Sequence, residues 1–166
     1  GRQVGLGDYA REKGVIVVFT CNHCPYSKLY EDRINALDAR YRPLGFPVVA
    51  INPNDPALEP EDSYENMQKR AKEKGFTFPY LVDGTQEIAR AYGASRTPHV
   101  FVLERSAGKT FRVAYVGAID DNARDAKAAQ AHDVQQAVDA LLAGQPVATT
   151  NVKAIGCTIK WKKARS

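Results

Sequence analysis

Residues 15–30, "VIVVFTCNHCPYSKLY", run from an apolar segment through two cysteines into a charged segment. Val15 to Thr20 is short, apolar and rich in β-branched residues, which reads as a strand buried on both faces. Pro25 suits the first position of a helix, and Tyr26, Leu29, Tyr30, Ile34, Leu37 and Tyr41 recur at helical spacing until Pro43 and Gly45 end the pattern. Cys21 and Cys24 therefore sit where a strand ends and a helix begins. The question this raises is whether the pair holds a metal, staples the chain or exchanges electrons.

The remaining chain sets the context. At 166 residues it has the length of about one domain, enough to bury roughly 70% of the surface its unfolded form exposes, with no need of a staple or structural metal. Apolar residues make up 44% and charged residues 25%, as in ordinary globular proteins. No apolar run approaches the roughly 18 residues that span a bilayer, so no membrane span is expected. The sequence starts at Gly1, so a leader removed before it would leave no trace, and the compartment stays open between a bacterial cytoplasm and periplasm. The net charge of +4 is concentrated in "IKWKKARS", with Lys160, Lys162, Lys163 and Arg165. No recognition motif accompanies it, so it reads as a solvated end and no nucleic-acid partner is expected.

Further along, "FPVVAIN" reads as a second buried strand ending at Asn52, and "NPNDPALEPEDS" as a loop. Glu61, Asp62 and Glu65 favour the N-terminus of a helix with Tyr64, Met67 and Ala71 on one face and Gly75 as its stop. "FPYLV" reads as a short strand and Ile88 to Tyr92 as a short helix. "HVFVLE" and "TFRVAYVG" are strands joined by the hairpin-like "RSAGK", and Ala131, Val134, Val138, Leu141 and Leu142 line a last amphipathic helix. Strands alternating with helices and closing in a hairpin imply an α/β fold with a mixed central sheet flanked by helices on both faces. The domain is expected over residues 1–146. Residues 147–166 are then a C-terminal tail packing on it or extending from it.

In such folds, sites gather where a strand's carboxyl end meets the next helix. Backbone N–H groups and the helix dipole stabilise a thiolate there, which favours Cys24, just before Pro25. His23 adds either a charge beside that thiolate or merely a loop imidazole. A structural zinc site wants four ligands; Cys21, Cys24, Cys157 and His23 make up the number, but no second close-spaced pair exists. A staple is weak because the loop is so short. A redox-active pair is the reading specific to this position, with no metal and no cofactor expected. Cys157 is either a third redox thiol or a small buried side chain beside Trp161. Tyr26, Tyr30, Phe46 and Phe78 are expected in the core.

The strand, the Cys-x-x-Cys at a helix start and "RTPHVFVLE" followed by a hairpin and a helix resemble the thioredoxin superfamily over roughly residues 10–143. The resemblance implies a cis Thr97–Pro98 bond beside the cysteines, with the Thr97 backbone free to pair with a substrate strand. Within the superfamily the chain is most similar to the redoxin branch, the alkyl hydroperoxide reductase and thiol-specific antioxidant proteins. It resembles in particular peroxiredoxin-like members carrying "CNHCP" (21–25), "KGFTFPYLVD" (74–83), "GxIDD" (117–121) and "IGCTIKW" (155–161). It departs from peroxiredoxins where they place threonine or serine, proline and arginine around the peroxidatic cysteine: with Cys24 in that role, those places hold Cys21, Val17 and Pro98. Nothing is then left to organise a peroxide oxygen.

These features predict a thiol–disulfide oxidoreductase that attacks a partner's disulfide and resolves the mixed disulfide as a Cys21–Cys24 bond. A thioredoxin-style reading makes Cys21 the nucleophile. Spacing from Phe19, and the glutaredoxin-like "CPYS" at 24–27, make it Cys24, with Ser27 in the second place. A thiol peroxidase is the alternative activity. A redoxin-type copper chaperone using the two cysteines and His99 is a second. The implied partners are protein or small-molecule thiols and disulfides and an electron donor, with the chain a monomer or weak dimer.

Overall fold

A computed structural model describes residues 1–164; Arg165 and Ser166, the end of the basic run, lie outside the described residues. The cysteine stretch forms strand β1 (Gly14–Phe19) and helix α1 (Pro25–Tyr41). There follow β2 (Val48–Asn52), α2 (Tyr64–Glu73), β3 (Tyr80–Val82) and α3 (Glu87–Tyr92). The second half holds β4 (Arg96–Thr97), β5 (His99–Arg105), β6 (Phe111–Gly117), α4 (Asp133–Leu142), β7 (Asn151–Val152) and β8 (Cys157–Thr158). Among the described residues no helix is long and apolar enough to cross a membrane.

The main sheet has the order β3-β2-β1-β5-β6-β7. β2 runs parallel to both β1 and β3, β5 antiparallel to β1, and β6 antiparallel to β5. This is the mixed sheet of the thioredoxin-like fold. β1 sits inside it, and alternate residues face opposite layers, as the period of a strand requires. Ile16 and Val18 pack with Tyr30, Ile34, Leu37 and Tyr41 of α1 and Val134, Ala137 and Val138 of α4. Val15, Val17 and Phe19 pack on the other face with Ala89, Ala94, Phe101 and Ile159. Burial of each large apolar side chain contributes about 1.5–3 kcal/mol, so the two layers fix the end of β1, and with it Cys21, from both sides.

The buried face of α1 starts at Ser27 and continues through Tyr30, Glu31, Ile34, Leu37, Asp38 and Tyr41. Leu29, expected on that face, is 44% exposed. Tyr26, expected in the core, is only half-buried. Tyr30, Phe46 and Phe78 are buried as expected. The difference at Leu29 is angular: in a 3.6-residue repeat it lies one step round from Tyr30. The two buried acids are matched, Glu31 by Arg70 and Asp38 by Arg42, Thr77 and the Val48 N–H. Gly45 ends this region with φ +98°, in the left-handed region that glycine enters without a Cβ penalty.

Helix α2 starts at Tyr64, so of the acidic run only Glu65 lies in its first turn. Ser63 caps it, its Oγ accepting the Asn66 N–H at 3.2 Å. Asp62, expected to serve the helix, lies before the cap and turns inward towards the cysteines. Beyond α4 the chain comes back to the domain: β7 pairs in parallel with β6, Ala154 and Ile159 are buried, and β8 forms a separate antiparallel pair with β4.

Candidate active site

The site is built where β1 ends. Cys24 is the N-cap residue of α1, with an extended backbone, Pro25 in the first turn and its carbonyl accepting the Lys28 N–H at 3.0 Å. Its sulfur is 0% exposed and lies 3.4 Å from the Thr97 carbonyl oxygen. The Cys21 sulfur is 3.3 Å from Thr97 Oγ1 and 3.6 Å from Ser27 Oγ. One residue, Thr97, thus touches both sulfurs, one through its backbone and one through its side chain. The Thr97–Pro98 bond is cis, as the resemblance implies.

Cys24 is bonded to Cys157, across 133 residues, with the two Cα atoms 6.1 Å apart. Cys21 is the free thiol. One expectation changes here. The bond present is Cys24–Cys157 where a Cys21–Cys24 bond is predicted; Cys157, read as either a third redox thiol or a small buried side chain, is the partly exposed partner in that bond. The Thr97 backbone is also not free. In the β4–β8 ladder Thr97 stands opposite Cys157 and Arg96 opposite Thr158, so the chain's own segment lies where a substrate strand is expected. The approach depends on Gly156: a Cβ there would lie 2.2 Å from the Thr97 carbonyl oxygen.

Burial, and then the Asp62 carboxylate, push the Cys21 thiol above its ordinary range, while hydrogen bonds with Thr97 and Ser27 and the Cys24 backbone pull against them. The two cysteines are thereby differentiated. Both are buried, but Cys24 sits on the N-terminus of a helix, where the dipole and N–H groups favour a thiolate, whereas Cys21 lies beside a carboxylate.

That carboxylate organises the loop. Asp62 Oδ1 accepts the Asn22 N–H at 2.6 Å and Asn52 Nδ2 at 3.2 Å; Oδ2 accepts Asn54 Nδ2 at 2.9 Å and lies 2.5 Å from His23 Nδ1. Tyr80 donates to Asn22 Oδ1 at 2.8 Å, and its hydroxyl is held well above its usual range by burial, Cys21 and Asp62, so it stays a neutral donor. His23 faces carboxylates, with Glu59 3.7 Å from Nε2.

Among the described residues, Cys21, His23 and Asp62 bring potential metal-ligand atoms within 4.8 Å of one another. Both Asp62 oxygens are already engaged by amide donors, so this cluster is read as hydrogen bonding. His99, the residue needed for a copper carrier, spends Nδ1 accepting the Ser95 N–H at 3.2 Å, and packs on Phe101. Burial pushes its pKa down.

The structure thus brings Cys21, His23, Cys24, Thr97, Pro98 and Cys157 to one place. It adds Asp62, Asn22, Tyr80, Gly156 and Gln86, which sequence reasoning missed. Gln86 is fully buried at φ +64° and latches the tail: Nε2 donates to the carbonyls of Pro53 (2.8 Å) and Lys160 (2.9 Å), and Oε1 accepts the Lys162 N–H (2.9 Å). The one available signal was Gly156, the residue immediately before a cysteine.

The AhpC/TSA family profile matches residues 1–122. The chain belongs to the AhpC/TSA family. Among curated proteins it is similar to the thiol-disulfide oxidoreductase ResA of Geobacillus thermodenitrificans, 30% identical over 113 residues, which are 68% of this chain and 60% of that one. The chain therefore spans only about 60% of that relative's length. A hypothetical protein from Sinorhizobium meliloti 1021 has a crystal structure that superposes with a TM-score of 0.90 at 36% identity, over 99% of this chain and 88% of that one. The solution structure of a thioredoxin-like protein in the oxidized form, 18% identical, matches with a TM-score of 0.63 over 87% of each chain and bears out the fold.

Proposed function

We propose that this chain is a thiol–disulfide oxidoreductase whose working groups are Cys21, Cys24 and Cys157. The carrying observation is that Cys24, on the α1 N-terminus, is bonded to Cys157 while a third thiol, Cys21, waits against the same threonine. The similarity to a protein named thiol-disulfide oxidoreductase supports the same reading. Residues 1–146 form the thioredoxin-like domain in this proposal, and the segment 147–166 supplies the third cysteine.

The internal step conserves electrons. The Cys21 thiolate attacks Cys24 Sγ, the Cys24–Cys157 bond breaks, a Cys21–Cys24 disulfide forms, and Cys157 leaves as a thiolate that takes up a proton. Reduction of either disulfide needs two thiols from outside, from a protein dithiol or a small-molecule thiol, and these leave as a disulfide. His23 and Asp62 hold the loop that carries Cys21, and Thr97 and Pro98 line the sulfurs. The peroxidase alternative lacks its groups, since Val17 is buried in the sheet and Pro98 offers no charge. The test is an equilibrium titration against glutathione with thiols counted. Reversible loss of two of the three thiols is expected; three thiols surviving every oxidising condition refutes the proposal.

A further inference from the structure

We infer that thiols from outside the protein enter this cycle at Cys157, and that partners do not reach the Cys-x-x-Cys directly. The inference rests on the redox reading above and concerns which sulfur of the Cys24–Cys157 bond is attacked.

Access favours Cys157. Cys21 is 2% exposed and Cys24 0%, whereas Cys157 is half-exposed between Gly156 and the exposed Thr158. The segment that carries it is held on both sides. Upstream, β7 lies in the main sheet and Ala154 is buried. Downstream, the Ile159 N–H donates to the Ser95 carbonyl at 3.2 Å, the Lys160 N–H to Asn54 Oδ1 at 2.9 Å, and the Asp55 N–H to the Lys160 carbonyl at 3.0 Å. Gln86 closes the latch through Lys160 and Lys162. A partner strand seeking the Thr97 backbone must first displace this whole segment. A partner thiol seeking Cys157 meets the one partly exposed residue of the three cysteines and need not take the place of β8 against β4.

Leaving-group chemistry points the same way. Attack at Cys157 expels Cys24, whose thiolate is stabilised by the α1 N-terminus; attack at Cys24 expels Cys157, which stands on a two-residue strand with no helix behind it. The better thiolate leaves faster. The step is balanced: a partner thiolate bonds to Cys157 Sγ, the Cys24–Cys157 bond breaks, and Cys24 carries away the electron pair. A second partner thiolate then attacks the partner's own sulfur, releasing Cys157 as a thiolate and the partner as a disulfide, and both protein thiolates take up protons.

The test uses the oxidised Cys21→Ser variant, which has no internal competitor, and glutathione as the probe. The reaction is quenched with acid during the first turnover and the glutathionylated cysteine is mapped by mass spectrometry. The mixed disulfide is expected on Cys157 in at least about tenfold excess over Cys24, the bias that a better leaving group and an open approach give together. An adduct that is equal or greater on Cys24 overturns the inference while leaving the redox proposal standing. If neither this variant nor Cys21→Ala forms a Cys24–Cys157 disulfide, both fall.

Discussion

Replacing Gly156 by alanine tests whether the backbone contact between β8 and β4 sets the redox properties of the site. The added Cβ would lie 2.2 Å from the Thr97 carbonyl oxygen, 2.7 Å from the Thr97 carbonyl carbon and 3.1 Å from the Pro98 nitrogen. All three are backbone atoms of one short strand and its cis junction, so no side chain can swing away. A carbon normally keeps about 3.3–3.6 Å from such an oxygen, so the strands must part by roughly 1 Å. Overpacking of this kind costs about 1–3 kcal/mol. The cost falls mainly on the oxidised form, because the disulfide adds a covalent restraint that holds Cys157 with its Cα 6.1 Å from that of Cys24, whereas in the reduced form only the flanking contacts at β7 and at residues 159–162 hold the segment down. A differential of about 2 kcal/mol raises the potential of the Cys24–Cys157 couple by roughly 40 mV, or about 30-fold in the exchange constant. The assay is equilibration in glutathione buffers with thiol counting and peptide mapping, with Gly7→Ala, a glycine with open space around it, as the control. A potential unchanged within about 10 mV, with Cys24–Cys157 still formed, refutes the reasoning.

Asp62→Ala leaves the Asn22 N–H and Asn54 Nδ2 without their acceptor in a buried loop. At about 1–3 kcal/mol for each of the two stranded donors, the variant is expected to lose about 2–6 kcal/mol in urea unfolding, and a loss under about 1 kcal/mol contradicts the role given to this carboxylate. In the reduced protein, Asp62→Asn removes the second cause of the raised Cys21 thiol while burial remains. Its iodoacetamide alkylation profile should therefore move to lower pH without reaching that of a free thiol; an unmoved profile is the opposing result. Because the folded thiol titrates above the unfolded one, the folded state keeps a proton that the unfolded chain gives up between the two values. Stability of the reduced wild type should accordingly fall as pH rises through that alkaline window, less so in Asp62→Asn. Gln86→Ala removes two hydrogen bonds to the tail, at Lys160 and Lys162, and the one to Pro53 that anchors the latch, and should speed limited proteolysis within residues 153–162; unchanged cleavage means the tail is held by other contacts.

The frame of the molecule was legible because its main elements carry strong local signals. β1 is a run of β-branched residues that both layers bury, and α1 begins at a proline and is followed by Gly45, whose left-handed backbone suits glycine. Cys21 and Cys24 were legible by spacing alone. β4, β7 and β8 were not: each has two residues, too few to show a period, and each exists only because a distant segment lies beside it. Asp62 was hidden for a different reason. An acid ahead of a helix has an ordinary explanation in the dipole, and only the tertiary structure shows it turned away from α2 towards Asn22. The pairing of Cys157 belongs to the same class, since no local pattern joins residues 133 positions apart.

The choice between the two disulfides is also a choice of stability. The Cys24–Cys157 bond closes a loop spanning 133 residues, and chain-entropy reasoning credits it with about 5 kcal/mol against the reduced unfolded chain. A Cys21–Cys24 bond closes a loop of four residues and is credited with about 2 kcal/mol. Internal exchange at Cys24 would therefore move about 3 kcal/mol of protection against unfolding together with the disulfide. A protein oxidised at Cys24–Cys157 is the more resistant form, and the thiol that relieves it, Cys21, is the one whose buried setting holds back its ionisation. The comparison is direct: oxidised Cys21→Ser retains only the long loop and oxidised Cys157→Ser only the short one. Their unfolding free energies, each taken relative to the same variant reduced, should differ by about 3 kcal/mol. Equal increments would mean that the tail already restrains the unfolded chain without its disulfide, and that exchange at Cys24 changes reactivity alone.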